Sequence, residues 1–476
     1  MKARLLLLTP PLLQTNTPYP ATMHLTGYLR SCGFDVHQRD LSIKVVRDVL
    51  LEHGDETTDE LLEFLGGPAP LEAKRKASEA IDALALRIRD TVDADFGFSR
   101  YAEHLCRAVE DFGALERRIR RRSVLDKALE RHLQTAMDEV KPTIVGVTCP
   151  FPGTLVGAFK IARYVRRRYP AVKLVLGGGY VNTELRAMTD RRPYRYFDEF
   201  VFDEGYRPLA RMLSRGKPPE VPAFVRPCYD GIDWNEYFDV VETDNFVTNL
   251  WNSGKWAKLV MARGCYWHRC AFCDVVLPYI GCFQMPKAVE IVDAMEALQP
   301  RTAGVHFVDE AMPPALVSCV CDEILRRRLK VVWWGNIRFD AAFTRPLAKK
   351  MAKAGCICVT GGLECADDRL LALMNKGITL ESAERVLKAF HSAGIFVHAY
   401  LMYDFPTETK RELAGARRYV KDLARRGLIQ SCFWHRFALT VHSPIAREPE
   451  RFGIRIVATE GRRRVFARNE LAYVKA

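Results

Sequence analysis

No stretch of this 476-residue chain approaches the ~20 consecutive apolar residues that a membrane-spanning helix requires. The N-terminal run from Leu5 to Leu8 comes nearest to a leader, but Thr9-Pro10-Pro11 ends it. Four residues are too few for the apolar core of a signal peptide, and no small-residue cleavage site follows. The run is therefore expected to be a first β-strand, and the protein cytoplasmic. Acidic residues are the scarcer charge, 58 against 71 Lys and Arg, giving a net +13. Such a balance can attract nucleic acid, anionic membrane or acidic substrates. Much of it sits in short runs: Arg117-Arg118 with Arg120 to Arg122, Arg166 to Arg168, and Arg326 to Arg328. These lie within or at the ends of helical patterns, where solvated faces are expected. Also missing is an aromatic-rich basic motif of an RNA-binding module, so nucleic acid is not an expected partner. A composition 48% hydrophobic and 27% charged excludes a disordered, collagen-like or fibrous chain. At roughly 150 residues per domain the length allows two to four domains with sizeable cores.

The fourteen cysteines lack the dense spacing of a small secreted disulfide framework. A reducing compartment is expected, with most of them acting as small buried apolar residues. Three stand apart. Cys265, Cys270 and Cys273 follow an apolar strand expected at 259–262, in the spacing Cys-x4-Cys-x2-Cys. Three thiolates this close in sequence suit a thiophilic centre, either zinc or an iron–sulfur cluster. Zinc needs a fourth ligand, for which His268 inside the loop is the candidate. No second Cys-x2-Cys knuckle accompanies it, and Cys282 has no partner at knuckle spacing, so the spacing favours iron–sulfur.

The stretch Arg263-Gly264-Cys265 through Cys270-Ala271-Phe272-Cys273 resembles the cluster loop of the radical S-adenosylmethionine (radical SAM) superfamily. The family usually places three residues between its first two cysteines; here there are four, Tyr266 to Arg269. The resemblance implies that three cysteines hold three irons of a 4Fe-4S cluster and leave the fourth open to SAM. One electron then cleaves SAM to a 5′-deoxyadenosyl radical, chemistry that the cofactor carries and the protein aims. Downstream, strands expected at 304–308, 331–335, 357–362, 395–402 and 431–437 alternate with helices at 287–298, 313–328, 344–354, 380–393 and 407–426. With the strand before the loop this makes six βα units, the pattern of a parallel sheet and of the family's partial (β/α)6 barrel. Polar residues gather at the strand ends, where βα barrels place their active sites. By resemblance, Phe272, Asp309, Glu310, Asn336, Arg338, Glu364, His398 and Tyr400 contact SAM. Asp309 and Glu310 would take its amino group, Glu364 its ribose and Arg338 its carboxylate, while the backbone at Phe272 faces the adenine.

The N-terminal half alternates as well, with strands expected at 3–13, 34–37, 144–148, 173–176 and 200–202. Helices follow at 21–31 and 155–168. This is the pattern of a Rossmann-like doubly wound parallel sheet, which binds ligands beyond the carboxyl ends of its strands. It resembles the cobalamin-binding domain that precedes some radical SAM cores. The resemblance implies that Thr9, Pro10, Thr148, Gly177, Gly178, Gly179, Glu204 and Gly205 line a cobalamin site. The segment Asp35-Val36-His37 superficially matches a cobalt-ligand motif, but it lies on the second strand and lacks the motif's glycine. A Rossmann-like domain without a cofactor is the plainer alternative.

The expected organisation is a cobalamin-binding-like domain over 1–206, interrupted by a helical insertion at about 48–135 that forms a cap or partner surface. A linker over 207–257, a barrel over 258–440 and a basic tail over 441–476, through Arg462 to Arg464, complete it. The function implied is a radical SAM enzyme that methylates an unactivated carbon with cobalamin. The alternatives are radical chemistry without methyl transfer (rearrangement, cyclisation or thiolation), an RNA-modifying factor, or a zinc-stabilised interaction protein. A reductant such as flavodoxin or ferredoxin and a small-molecule or peptide substrate are the implied partners.

Overall fold

The computed structural model describes residues 3–107, 109–214, 216–457 and 464–475; Arg462 of the basic tail lies outside them. The chain divides into two compact units. The first contains Met1–Asp244, Trp251–Lys255 and Gly461–Arg468; the second contains Asn245–Leu250, Trp256–Glu460 and Asn469–Ala476. The stretch 207–257, read from sequence as a linker, is thus shared between them. Among the described residues no helix is long and apolar enough to cross a membrane.

The first unit is built on five parallel strands: β1 (Arg4–Thr9), β2 (Asp35–Asp40), β3 (Ile144–Thr148), β4 (Lys173–Gly177) and β5 (Glu199–Phe200). Their spatial order is β2-β1-β3-β4-β5. The leucine run of β1 shows why the sheet is covered on both sides. Strand side chains alternate in direction, so Leu5 and Leu7 enter one core with α1 (Ala21–Ser31), while Leu6 and Leu8 enter the other with α2 (Leu41–His53). The insertion shares this second core. Helices α3 (Thr58–Gly66), α4 (Leu71–Thr91), α5 (Phe112–Arg120) and α6 (Asp126–Val140) bury Leu62, Ile81, Leu115 and Leu129 alongside Leu6 and Leu8. Helix α7 (Leu155–Arg168) belongs to the same core, and α8 (Tyr206–Leu213) packs with α1 on the opposite face.

One buried ion pair ties the insertion down, and a second set braces it from within. Lys74 on α4 reaches Asp239 at 2.5 Å, and Arg118 on α5 pairs with both Asp93 and Asp95. Arg118 therefore departs from the solvated face expected of its basic run. Its neighbours Arg120 and Arg121 are exposed, as that expectation had them.

The second unit carries six parallel strands: β6 (Trp256–Leu259), β7 (Gly304–Phe307), β8 (Trp333–Ile337), β9 (Cys356–Glu364), β10 (Phe396–Tyr403) and β11 (Ser431–Arg436). Each pairs with the next in sequence, from β6 at one edge to β11 at the other. Helices α9 (Ala288–Leu298), α10 (Pro314–Arg327), α11 (Arg345–Lys353), α12 (Leu380–Ala393) and α13 (Lys410–Arg425) make the crossovers. This is the α/β architecture expected: a doubly wound sheet with a helical insertion, then a partial (β/α)6 barrel. One boundary differs. The strand before the cysteine loop ends at Leu259 rather than Ala262, because the amides of Met261 and Ala262 turn to the Asp309 carboxylate instead of the sheet.

The carboxyl end of β2 shows how the first unit begins its helices. Asp40 caps α2, accepting from the amides of Ser42 (2.8 Å) and Ile43 (3.4 Å), and also accepts from the Tyr237 hydroxyl at 2.8 Å. Burial pushes its carboxyl up to about 6 against these hydrogen bonds. The folded chain therefore holds this proton more tightly than the unfolded one, and stability falls as pH rises from about 4 to 6. At ~1.4 kcal/mol per pKa unit the loss from this group is about 3 kcal/mol. Asp40→Asn keeps a capping oxygen and should remove that slope, read as urea unfolding of the full chain at about pH 4.5 and 7. Asp40→Ala removes the same titration together with the cap and strands the Tyr237 hydroxyl, so its cost should be about 1–3 kcal/mol at pH 4.5 and about 2 kcal/mol smaller at pH 7.

Candidate functional site

The cysteine loop leaves β6 under restraint from its first residue. Asp309, just beyond β7, accepts from the amides of Met261 (2.8 Å) and Ala262 (2.7 Å), and burial pushes its carboxyl up to about 7. Arg263 pairs antiparallel with Gln284, and the Cys265 amide donates to Ile280 O at 2.8 Å. Gly264 between them has φ +74°, and a Cβ there would lie 2.7 Å from Cys282 O. Only glycine allows that close passage. His268, with φ +35°, folds back so that its Nδ1 meets Cys265 O at 2.9 Å, which draws that nitrogen into the loop's own backbone.

A second segment, Met374 to Gly377 beyond β9, clamps the loop from the other side. The Ala271 amide donates to Met374 O (2.8 Å), Trp267 Nε1 to Asn375 O (2.9 Å), and Asn375 Nδ2 to Arg269 O (2.9 Å). Gly377, at φ +72°, lies so close under the Trp267 indole that a Cβ would overlap it. Between clamp and loop lie three buried charges. Lys376 (6% exposed) pairs with Glu364 (6% exposed) at 2.6 Å, and its Nζ stands 5.7 Å over the Phe272 ring. Arg338 (4% exposed) donates to Lys376 O at 2.5 Å, stands 4.4 Å over the Trp267 ring, and reaches Cys270 Sγ at 3.8 Å.

These surroundings set the thiols. Burial pushes Cys270 up, with Lys376 and Arg338 pulling the other way; burial and the neighbouring Cys270 push Cys273 up. Left alone such thiols stay protonated, and a metal that binds them must displace protons. Among the described residues no three His, Cys, Asp or Glu side chains converge as one metal ion would require. A cluster spreads its three thiolates over three irons, and the loop's chemistry fits that demand. Cys270 lies within electrostatic reach of both Cys265 and Cys273, and buried cations back it. Two buried polar atoms facing this region, Arg338 Nε and the Tyr266 hydroxyl, have no hydrogen-bond partner among the described residues.

The other residues read from the sequence divide into engaged and open. Asp309 is taken up by backbone amides, Glu364 by Lys376, and Arg338 by the loop and clamp. Asn336 donates to Asp309 O (3.0 Å) and accepts from Thr360 Oγ1 (2.6 Å). His398 meets Ser431 Oγ at 2.6 Å, burial pulls it down to about 4, and the Tyr400 ring packs edge-on at 4.8 Å. Glu310 is exposed, and the protein around it pushes its carboxyl up by desolvation. Its carboxylate makes no hydrogen bond or ion pair among the described residues. Lys376 was not among the residues read from the sequence; Asn-Lys-Gly after a short helix signals a turn, not a buried ion pair.

In the first unit the strand ends carry Thr9, Pro10, Thr148, the glycines and Glu204-Gly205. The Thr148 hydroxyl is buried without a partner among the described residues. Gly178 and Gly179 serve the chain itself: a Cβ at Gly178 would lie 2.7 Å from the Cys149 backbone, and one at Gly179 2.9 Å from Pro150 O. Gly205 starts α8 against Leu25. A cleft of about 330 Å³ opens beside these ends, between the loops after β1 and β3, lined by Thr15, Asn16, Phe98, Phe151 and Trp251. That is where the strand order reverses, the crevice that open α/β sheets offer to ligands. Its wall mixes these aromatic side chains with the charged Arg100, Glu103 and Glu242. His37 lies mid-strand opposite Leu6 and pairs with Asp35 at 3.0 Å, away from the strand ends. Phe98 and Trp251 escaped the sequence reading because they reach the cleft from the insertion and from a returning segment.

The clamp is open to test. Lys376→Met strands the Glu364 carboxylate in a buried site and should destabilise the second unit by about 3–5 kcal/mol. Adding Glu364→Gln should restore most of that loss in denaturant unfolding. An uncorrected double variant would show that Lys376 acts by packing alone.

Residues 259–420 match the Radical SAM superfamily. An uncharacterized methyltransferase of Pyrococcus horikoshii is 22% identical over 310 residues, covering 59% of this chain and 64% of that protein. The anaerobic magnesium-protoporphyrin IX monomethyl ester cyclase of Rubrivivax gelatinosus is 23% identical over 319 residues, covering 62% of this chain and 56% of the cyclase. The chain thus spans less than two thirds of the length of these curated relatives. Among solved structures, the radical S-adenosylmethionine methyltransferase TsrM from Kitasatospora setae, with cobalamin and a [4Fe-4S] cluster bound, matches with a TM-score of 0.54 at 17% identity. The match covers 96% of this chain and 81% of TsrM. The cobalamin-dependent radical enzyme OxsB with aqua-cobalamin bound matches with a TM-score of 0.59 at 12% identity, covering 100% of this chain and 64% of OxsB. At these identities the structural likenesses speak for the fold. The stretch 259–420, which holds the cysteine loop and most of the barrel, thus matches the radical SAM family, and over both units the likeness is one of fold.

Proposed function

We propose that the protein is a radical SAM enzyme that methylates an unactivated carbon with the help of cobalamin. The observation that carries the proposal is the clamped loop: three thiols on one turn, backed by buried cations, at the edge of a parallel barrel. When bound, the cluster and SAM supply a 5′-deoxyadenosyl radical, and cobalamin supplies a transferable methyl group. In this reading Cys265, Cys270 and Cys273 hold the three irons. Glu310 offers a carboxylate to the SAM amino group, and the Phe272 backbone meets the adenine. Asn336, His398 and Tyr400 shape the interior: burial keeps the His398 imidazole neutral at physiological pH, so it does not repel the sulfonium. Thr9, Pro10, Thr148, Gly177 to Gly179, Glu204 and Gly205 border the corrinoid, and no step is assigned to His37.

The relatives named as methyltransferases, and the cobalamin recorded with TsrM and OxsB, support methyl transfer. A second reading keeps the radical and drops the methyl group; the likeness to a protoporphyrin ester cyclase favours it. A one-electron donor of the flavodoxin or ferredoxin class and a small-molecule or peptide substrate are part of either reading.

Anaerobic purification with reconstitution, followed by iron, sulfide and cobalt analysis, separates them. About four irons per chain with retained cobalt supports methyl transfer. Iron without cobalt leaves the second reading, and zinc without iron or sulfide overturns both. Cys265→Ala, Cys270→Ala and Cys273→Ala should each abolish SAM cleavage. Cys106→Ala, in the core of the first unit, should leave it intact.

A further inference from the structure

Among the described residues two cations are buried behind the cysteine loop, and only one has a carboxylate partner. Lys376 has Glu364. Arg338, equally buried, has no carboxylate partner among the described residues, although an isolated charge is costly to remove from water. Its guanidinium is always protonated, so the cost cannot be escaped by losing a proton. What surrounds it instead is Lys376 O at 2.5 Å, the Trp267 ring at 4.4 Å, the Tyr266 ring at 5.8 Å and Cys270 Sγ at 3.8 Å. Trp267 is itself fixed by its bond to Asn375 O and by Gly377 beneath it. The guanidinium therefore cannot swing away without unseating the loop.

We propose that Arg338 is a positioning residue of the iron–sulfur cluster, whose N–H donated to the Cys270 sulfur raises the cluster's reduction potential. This rests on reading Cys265, Cys270 and Cys273 as cluster ligands, and it differs from the role the resemblance implied, a partner for the SAM carboxylate. The missing anion is the thiolate-ligated cluster. Reduction adds one electron, taken from a donor of the flavodoxin or ferredoxin class that is oxidised by one electron, and needs no proton. A fixed positive charge and a hydrogen bond on a ligand sulfur stabilise the more negative, reduced form, so the potential rises.

The test uses the full chain, reconstituted anaerobically and titrated with dithionite and redox mediators, with the reduced cluster followed by electron paramagnetic resonance. Arg338→Gln should shift the midpoint to lower potential at unchanged iron and sulfide content. Arg338→Lys, which keeps the charge but loses the two-pronged hold on Cys270 and Lys376 O, should fall between. SAM affinity by equilibrium dialysis should change less than about threefold in both. An unmoved midpoint overturns the proposal: with SAM binding weakened tenfold or so it returns Arg338 to the SAM carboxylate, and with binding intact it leaves only packing. If Arg338→Gln holds no iron, Arg338→Lys carries the same two arms. Wild-type protein that takes up no iron at all would sink the cluster reading itself, a separate failure.

Discussion

A loop that carries three thiols has no ladder of its own, so its shape must be imposed by groups around it. Here the decisive group is the buried set of Arg338, Lys376 and Glu364. One carboxylate faces two cations, leaving an excess positive charge directed at Cys270. Such an arrangement is unfavourable in a protein interior unless negative charge arrives, because desolvation exceeds what one ion pair returns. The fold meets that cost with backbone: Lys376 O takes the guanidinium, Asn375 and Met374 take the loop, and Asp309 takes its first two amides. The loop is thus held in shape by the chain's own groups, with a positive charge turned toward Cys270.

The first unit solves a different problem by similar means. Its sheet is apolar on both faces, so the insertion that splits it adds its own apolar side to one of the two cores. Long helices crossing a core bring charged residues with them, and two of these are buried with partners: Lys74 with Asp239, Arg118 with Asp93 and Asp95. Removing one member of either pair would cost more than the pair contributes. The Lys74–Asp239 pair therefore specifies where the insertion sits more than it stabilises it, while the Arg118 pairs brace the insertion from within.

The parts legible in the sequence were those written in periodicity and spacing. The expected helices 155–168 and 380–393 coincide with their observed bounds, and the six barrel strands lie within a few residues of expectation. Leu5 to Leu8 announced a strand, and the structure covers it on both faces. What could not be read was which polar group answers which. Asp309 and Glu310 are adjacent and alike in chemistry, yet one is consumed by two amides while the other is open. Alternation along an extended segment sends neighbours to opposite sides, and a shift of one residue exchanges their roles. Lys376 was invisible for a related reason: its partner Glu364 lies on a strand, while the lysine follows a helix, and only the folded path brings them within 2.6 Å. Cleft residues such as Phe98 and Trp251 needed the topology first, although the 51% exposure of Phe151 has a sequence shadow in its Cys-Pro-Phe-Pro setting.

The four-residue gap between Cys265 and Cys270 follows from the same clamp. An added residue must go somewhere without pushing Cys265 and Cys270 apart. His268 absorbs it by taking φ +35° and folding back onto Cys265 O. That turn leaves Trp267 on the inner side, where its indole covers Arg338 and rests on Gly377, and leaves Arg269 outside, 5.5 Å over the same ring. Without this tryptophan Arg338 would lose the nearer of the two aromatic faces that help to offset its burial. Gly377 would then have no reason to be glycine on packing grounds. The unusual spacing, the tryptophan within it, the glycine beneath it and the arginine without a carboxylate are thus one device, spread over more than a hundred residues of chain.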